Sequence, residues 1–164
     1  MQEIGTSNAF AKVHYRVLCD FALASDAEDF QGSLSLVARA GNYTTSVKKP
    51  IVPQDAYIAV LDILNSRILI LRRFEAKDFL LLSSEFNLII TPGAKYSLSF
   101  ACYGNGSVGG TRLELVLNNT TIASGYDGSG LQLLSGSAGL QVQNGSVYVN
   151  NFAVMELDSS GFPV

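Results

Sequence analysis

The chain has 164 residues, a formal net charge of -3 and a composition 48% apolar but only 15% charged, with one His, two Cys and no Trp. That length suits one domain able to bury its core without cross-links, and the sparse, slightly acidic charge excludes a nucleic-acid surface driven by counterion release. A lone His and two isolated Cys leave little from which to assemble a catalytic or metal site.

Residues 1–11 read as an N-terminal arm. They carry neither a basic stretch nor an apolar one, so no export signal is expected there, and no apolar run reaches membrane-spanning length. Over residues 12–23, Val13, Tyr15, Val17, Cys19, Phe21 and Leu23 alternate with Lys12, His14, Arg16 and Asp20, the period of a strand with one face in a core. A second strand is predicted over 32–40. The polar residues 41–55, carrying Pro50 and Pro53, form the longest predicted loop and the first place to look for a binding edge. Residues 57–64 and 67–73 flank Asn65-Ser66 as a hairpin, and 75–78 turn the chain into 79–82. A single helical turn is allowed at 26–30 or 83–85. Thr91-Pro92-Gly93 turns into a strand at 95–103, Gly-rich residues 104–110 lead to 111–117, and Asn118-Asn119 reverses the chain into 120–124. After Gly- and Ser-rich residues 125–139, 140–143 and 146–157 are the closing strands around Asn144-Gly145, and 158–164 are a tail.

Cys19 and Cys102 fall on the apolar phase of their strands and are expected as free buried thiols. Lys48-Lys49 and Arg72-Arg73 read as solvated loop and strand-edge charges. Asp62, Glu75, Asp78 and Glu114 do not sit at alternate positions of one strand, so no pair of carboxylates can share acid and nucleophile work. His14 has no Ser or Cys to activate. No catalytic residue, metal or cofactor is therefore expected. Asp127, in Tyr126-Asp127-Gly128-Ser129-Gly130, reads as a turn former before a calcium ligand. Asn42-Tyr43-Thr44, Asn105-Gly106-Ser107, Asn118-Asn119-Thr120, Asn119-Thr120-Thr121 and Asn144-Gly145-Ser146 fit the glycosylation pattern and read as turn chemistry.

The phrases Gly32-Ser33-Leu34-Ser35-Leu36-Val37-Ala38-Arg39, Tyr57 to Leu61, Leu69-Ile70-Leu71-Arg72, Gly93-Ala94-Lys95-Tyr96-Ser97-Leu98, Leu115-Val116-Leu117-Asn118-Asn119, Ser135-Gly136-Ser137-Ala138-Gly139-Leu140 and Asn150-Asn151-Phe152, in this order, resemble the concanavalin A-like jelly rolls of the laminin-G-like type. The resemblance implies an all-β, two-sheet antiparallel jelly-roll sandwich over 12–157. Such modules usually begin with a further segment that completes the sheets and contains a Trp, so this chain is expected to leave a sheet edge unprotected.

Two functions follow as expectations. The first is a non-catalytic structural or interaction protein, a decoration or tail component on the surface of a phage virion. Its partners would be other capsid or tail subunits, or its own copies as a homo-oligomer, with no nucleic acid or membrane. The alternative is an extracellular carbohydrate-binding module of a larger secreted protein. It would bind glycans at the loop rim through Tyr43, Asn42, Tyr126, Asp127 and Asn105, with Arg39 and Arg112 nearby. Tyr57, Tyr103 and Tyr148 are the further rings available.

Overall fold

The computed structural model describes residues 2–5, 14–24, 32–43, 53–85, 89–104, 110–129 and 133–164, with the backbone alone at 2–5 and 42–43. Eleven strands run through these residues. They are β1 (Gln2–Gly5), β2 (Tyr15–Leu23), β3 (Ser33–Tyr43), β4 (Pro53–Asp62), β5 (Arg67–Phe74), β6 (Lys77–Glu85), β7 (Lys95–Tyr103), β8 (Thr111–Leu117), β9 (Thr120–Asp127), β10 (Ser137–Gln143) and β11 (Val147–Glu156). Six form one sheet in the order β1-β10-β3-β4-β5-β6 and five form the other in the order β11-β2-β7-β8-β9. Every neighbouring pair is antiparallel. The fold is the concanavalin A-like jelly-roll sandwich expected.

Strict alternation builds the core. Along β2 Tyr15, Val17, Cys19, Phe21 and Leu23 are buried and the intervening Arg16, Leu18, Asp20 and Ala22 only half so, as a strand with one face on a facing sheet requires. Val17, Cys19 and Phe21 of β2, Leu98, Phe100 and Cys102 of β7, and Leu113, Leu115 and Leu117 of β8 pack against Leu34 and Leu36 of β3, Ala59 and Leu61 of β4, and Ile68 and Ile70 of β5. Phe21 and Tyr96 stack with ring centroids 5.4 Å apart. Each fully buried Leu, Ile or Phe contributes about 1.5–3 kcal/mol of transfer free energy.

Both cysteines are free and buried in this core. Loss of solvation pushes each thiol up to about 12. A thiol reagent at pH 8 is therefore expected to label neither in the native protein and both once denaturant is added, within the time that labels a free peptide thiol.

Four sequence expectations are corrected. Gln2–Gly5, expected within an arm, is a strand paired with β10 from Gln2↔Val142 to Gly5↔Gly139, so part of the edge-completing segment is present. Residues 41–55 are not one loop, because β3 continues to Tyr43 and β4 begins at Pro53, with Gly41 opposite Asp55. Ser83–Glu85 is not helical but pairs with β5; the other proposed helical turn, 26–30, lies outside the described residues. Strand β6 also starts earlier than expected, at Lys77, because Glu75 and Ala76 both take positive φ in a tight turn. Their strained backbone is held from β4, where Asp55 Oδ1 accepts the Glu75 amide at 3.0 Å and the Gln54 carbonyl accepts the Ala76 amide at 2.9 Å. By contrast, Asn118 and Asn119 both take positive φ in the β8–β9 turn, as the Asn pair predicts.

The C-terminal residues fold back. The amide of Asp158 donates to the Phe162 carbonyl at 2.8 Å, while the Asp158 carboxylate accepts the amides of Ser160 and Phe162. Leu157 packs on Ala101 and Tyr103, and Gly161 rests against the Tyr103 ring. The outward face of the six-stranded sheet is aliphatic at its centre, with Val37, Ile58 and Leu71 in one cross-strand row and Val60 and Leu69 in the next.

Candidate functional site

Strand direction brings particular ends together. β3, β5, β7 and β9 finish, and β2, β4, β6, β8 and β10 begin, at the same end of the sandwich. Tyr15, Arg39, Tyr57, Arg72, Thr111 and Asp127 all belong to these strand ends and are buried there, with Arg39 and Asp127 each only 1% exposed.

Their inward side chains form a polar network between the sheets. Arg39 Nη1 donates to Thr111 Oγ1 at 3.0 Å and to the Leu133 carbonyl at 2.7 Å, and its guanidinium carbon lies 5.9 Å from the centre of the Tyr57 ring. The Tyr57 hydroxyl donates to Asp127 Oδ2 at 2.7 Å and accepts the Leu133 amide at 3.3 Å. Asp127 Oδ1 accepts the Ser129 amide at 3.0 Å and lies 3.5 Å from Arg72 Nη1, which also donates to the Ser129 hydroxyl. Burial resists the charge on Asp127, but the Ser129 hydroxyl, the Tyr57 hydroxyl, the Ser129 amide and the Arg72 guanidinium outweigh it and hold the carboxyl below its ordinary value. Burial, and then the hydrogen bond to this carboxylate, raises Tyr57 well above the usual tyrosine range. The network fixes where β9 ends and where Leu133 sits.

Arg72 was expected as a solvated strand-edge charge, and the structure corrects this. Its partner across β4 is Tyr57, so it points between the sheets and is 8% exposed. Phe79, opposite it on β6, covers its guanidinium at 5.2 Å. Arg73, one residue on, has the other phase and pairs with Asp78 through two bonds of 2.6 and 2.9 Å.

The outward side of the same strand ends differs. Tyr103, Arg112 and Tyr126 stand side by side across β7, β8 and β9. Tyr126 is 51% exposed, and its ring lies over the backbone at Gly110 and Gly128. A methyl group at 110 would come within 2.3 Å of the ring and one at 128 within 2.8 Å, so only glycine lets the ring lie there. The Tyr103 hydroxyl donates to Glu114 Oε1 at 2.5 Å, and burial, then this carboxylate, pushes the phenol up to about 12.

Of the sequence candidates, Asp127 is a buried member of the inner network and Tyr126 an exposed ring beside it. Asn42 and Tyr43 lie in the last residues of β3, whose end opens on this rim, though their side chains are not described. Asn105 lies outside the described residues; the strands flanking it finish at Tyr103 and start at Thr111, on the same rim. Tyr57 is in the core, and Tyr148, although exposed, stands opposite Ala22 toward the far end of the five-stranded sheet. The carboxylates considered for hydrolysis have other work. Asp62 accepts from Asn65 and Arg67, and Glu114 from Tyr103. The inner Arg39, Tyr57, Arg72 and Thr111 were not picked out together, since no sequence spacing links residues joined only by the meeting of two sheets.

No protein-family model matches the sequence, and no curated protein matches it in sequence. Solved structures do match in fold. A carbohydrate binding module of the CBM66 type from Bacillus subtilis superposes with a TM-score of 0.67 at 15% identity, over 93% of this chain and 80% of that one. The carbohydrate recognition domain of Emp46p in its potassium-bound form gives 0.57 at 12% identity, over 93% and 72%. A prokaryotic β-1,3-1,4-glucanase derived from a mouse hindgut metagenome gives 0.50 at 13% identity, over 88% of this chain but 58% of its own.

Proposed function

We propose that this protein is a non-catalytic carbohydrate-binding module that works outside the cell and holds its glycan at the rim bearing Tyr126. One observation carries the reading. A half-exposed tyrosine packs closely against two glycines beside the exposed Arg112, and the buried Asp127 network beneath fixes the strand end that carries it. Sugar rings present apolar C–H faces and hydroxyl edges, and a rigid aromatic face with donors at its side matches both at low entropic cost. Support comes also from two fold neighbours described as carbohydrate-binding or carbohydrate-recognition domains. The aliphatic centre of the six-stranded sheet is a poorer platform, lacking aromatic rings and donors among Val37, Ile58, Val60, Leu69 and Leu71.

The virion reading is set aside, because neither the fold neighbours nor the rim favours it. A hydrolase reading is disfavoured by the engagement of Asp62 and Glu114 with neighbouring side chains.

The test is a glycan array followed by titration calorimetry on the best hits. Tyr126→Ala is expected to weaken binding about tenfold or more while moving the thermal midpoint by no more than about 3 °C. Binding unaffected by Tyr126→Ala would move the site elsewhere, and no hit on a broad array would remove the proposal.

A further inference from the structure

We infer that the saccharide taken at this rim is acidic, a hexuronate or a sialate, with its carboxylate on Arg112 and its ring on Tyr126; the inference rests on the glycan-binding reading above. Arg112 is exposed, stands between Tyr103 and Tyr126 in register, and no described residue hydrogen-bonds or ion-pairs with its guanidinium. A planar guanidinium in the row beside a ring has two parallel N–H donors to offer, the geometry of a carboxylate and not of a single hydroxyl.

A second cation lies on the same face. Arg16 shares the next cross-strand row with Ala101 and Glu114, and its Nε is buried with no hydrogen-bond partner among the described residues. His14, which precedes Tyr15 at the start of β2, likewise has a buried Nδ1 without a partner there. Tyr103 lies within electrostatic reach of both Arg112 and Arg16, which oppose the rise of its phenol.

The anions nearby are committed. Glu114 accepts the Tyr103 hydroxyl, and the Asp158 carboxylate is turned into the amides of Ser160 and Phe162. On a chain of net charge -3, the Glu114 carboxylate offsets one of the two arginines around Tyr103, and Arg112, with no described partner, is the cation left for a ligand. The Arg16 Nε–H, an orphaned donor beside it, is the kind of group an anion satisfies.

The test compares matched ligands on the full chain by calorimetry at 0.15 M salt, a strength that screens diffuse attraction. The probes are tri-galacturonate against its methyl ester, and sialyllactose against lactose, so that the two arms separate uronate from sialate. In at least one arm the acid is expected to bind roughly tenfold tighter than its neutral counterpart, the worth of one bidentate charged pair. Arg112→Gln is expected to erase that difference with an unchanged melting midpoint. Lys95→Gln removes the same charge at the opposite end of this sheet face and is expected to leave the difference intact.

Equal binding of acid and neutral forms overturns the inference, as does a Lys95→Gln loss as large as that of Arg112→Gln, which would mean diffuse attraction. Binding of neutral glycans alone, weakened by Tyr126→Ala, also overturns it while leaving the glycan-binding reading standing. Binding of neither class removes both.

Discussion

Asp127→Ala is expected to lower the stability of the fold by about 3–5 kcal/mol, the cost of removing one partner from a buried ion pair and stranding the other. The residue does three jobs from a position 1% exposed. It accepts the Tyr57 hydroxyl, accepts the Ser129 amide and balances Arg72. Without it the Arg72 charge and the Tyr57 hydroxyl are left between two sheets without the acceptor that made their burial tolerable. Urea unfolding at pH 7 measures the loss, and a change under about 1 kcal/mol would show that the network is not what holds this end closed. Acid provides an independent check. The folded-state pKa of Asp127 lies below the ordinary carboxylate value, so its contribution is complete above about pH 4, the unfolded value, and is lost as pH falls through the lower folded one. The stability gap between wild type and Asp127→Asn is therefore expected to be largest at neutral pH and to shrink below about pH 4.

Gly136→Ala is the second large effect. Gly136 has φ +150, and a methyl group there would lie 2.5 Å from the Arg39 carbonyl carbon and 2.5 Å from the Ala40 carbonyl oxygen. Both are backbone atoms, so the clash cannot be relieved by a rotamer change. The crowding falls at the irregularity where β3 bulges between Ala38 and Gly41 and Arg39 itself takes a positive φ of 52. There the Arg39 amide donates to the Tyr15 hydroxyl, which lies 3.4 Å from the carbonyls of Gly136 and Ser137. A loss of about 3 kcal/mol or more is expected from the combined overpacking and backbone strain. Thermal unfolding of Gly136→Ala beside Gly139→Ala checks it. A methyl group at 139 meets only the Val37 side chain at 3.9 Å and serves as the mild control.

Period-two alternation is a local signal, and where it runs cleanly the strands were legible from sequence. β7 and β8 occupy the bounds expected of them, and the positive φ of Asn118 and Asn119 follows from the one residue type other than Gly that tolerates it readily. The misses have equally physical causes. Nothing within Gln2–Gly5 marks it as a strand, because its pairing comes from β10, far along the chain. The Glu75-Ala76 turn lacks turn residues because Asp55 and Gln54 of β4 hold it. Arg72 was misjudged because a charged residue on the inward phase is sensible only once Asp127 and Ser129 of the other sheet are known to meet it. The rim followed a similar course. Tyr126 and Asp127 were singled out together, yet alternation sends their side chains to opposite sides of β9, one to solvent and the other to the network beneath.

The strand order also governs the time course of assembly. β3 through β6, and β7 through β9, pair as neighbours along the chain and can form as soon as each meander is made. The pairings β10 with β3, β1 with β10 and β11 with β2 each close a long stretch of chain, and all three need residues beyond 136. During synthesis β2 therefore waits for β7, while β1 has no partner until β10 has been made. Loop closures of this span put such a topology among the slow, millisecond-to-second folders. They leave β1 without its strand partner while β2 to β9 are being made, and an unpaired strand is open to chaperones and proteases.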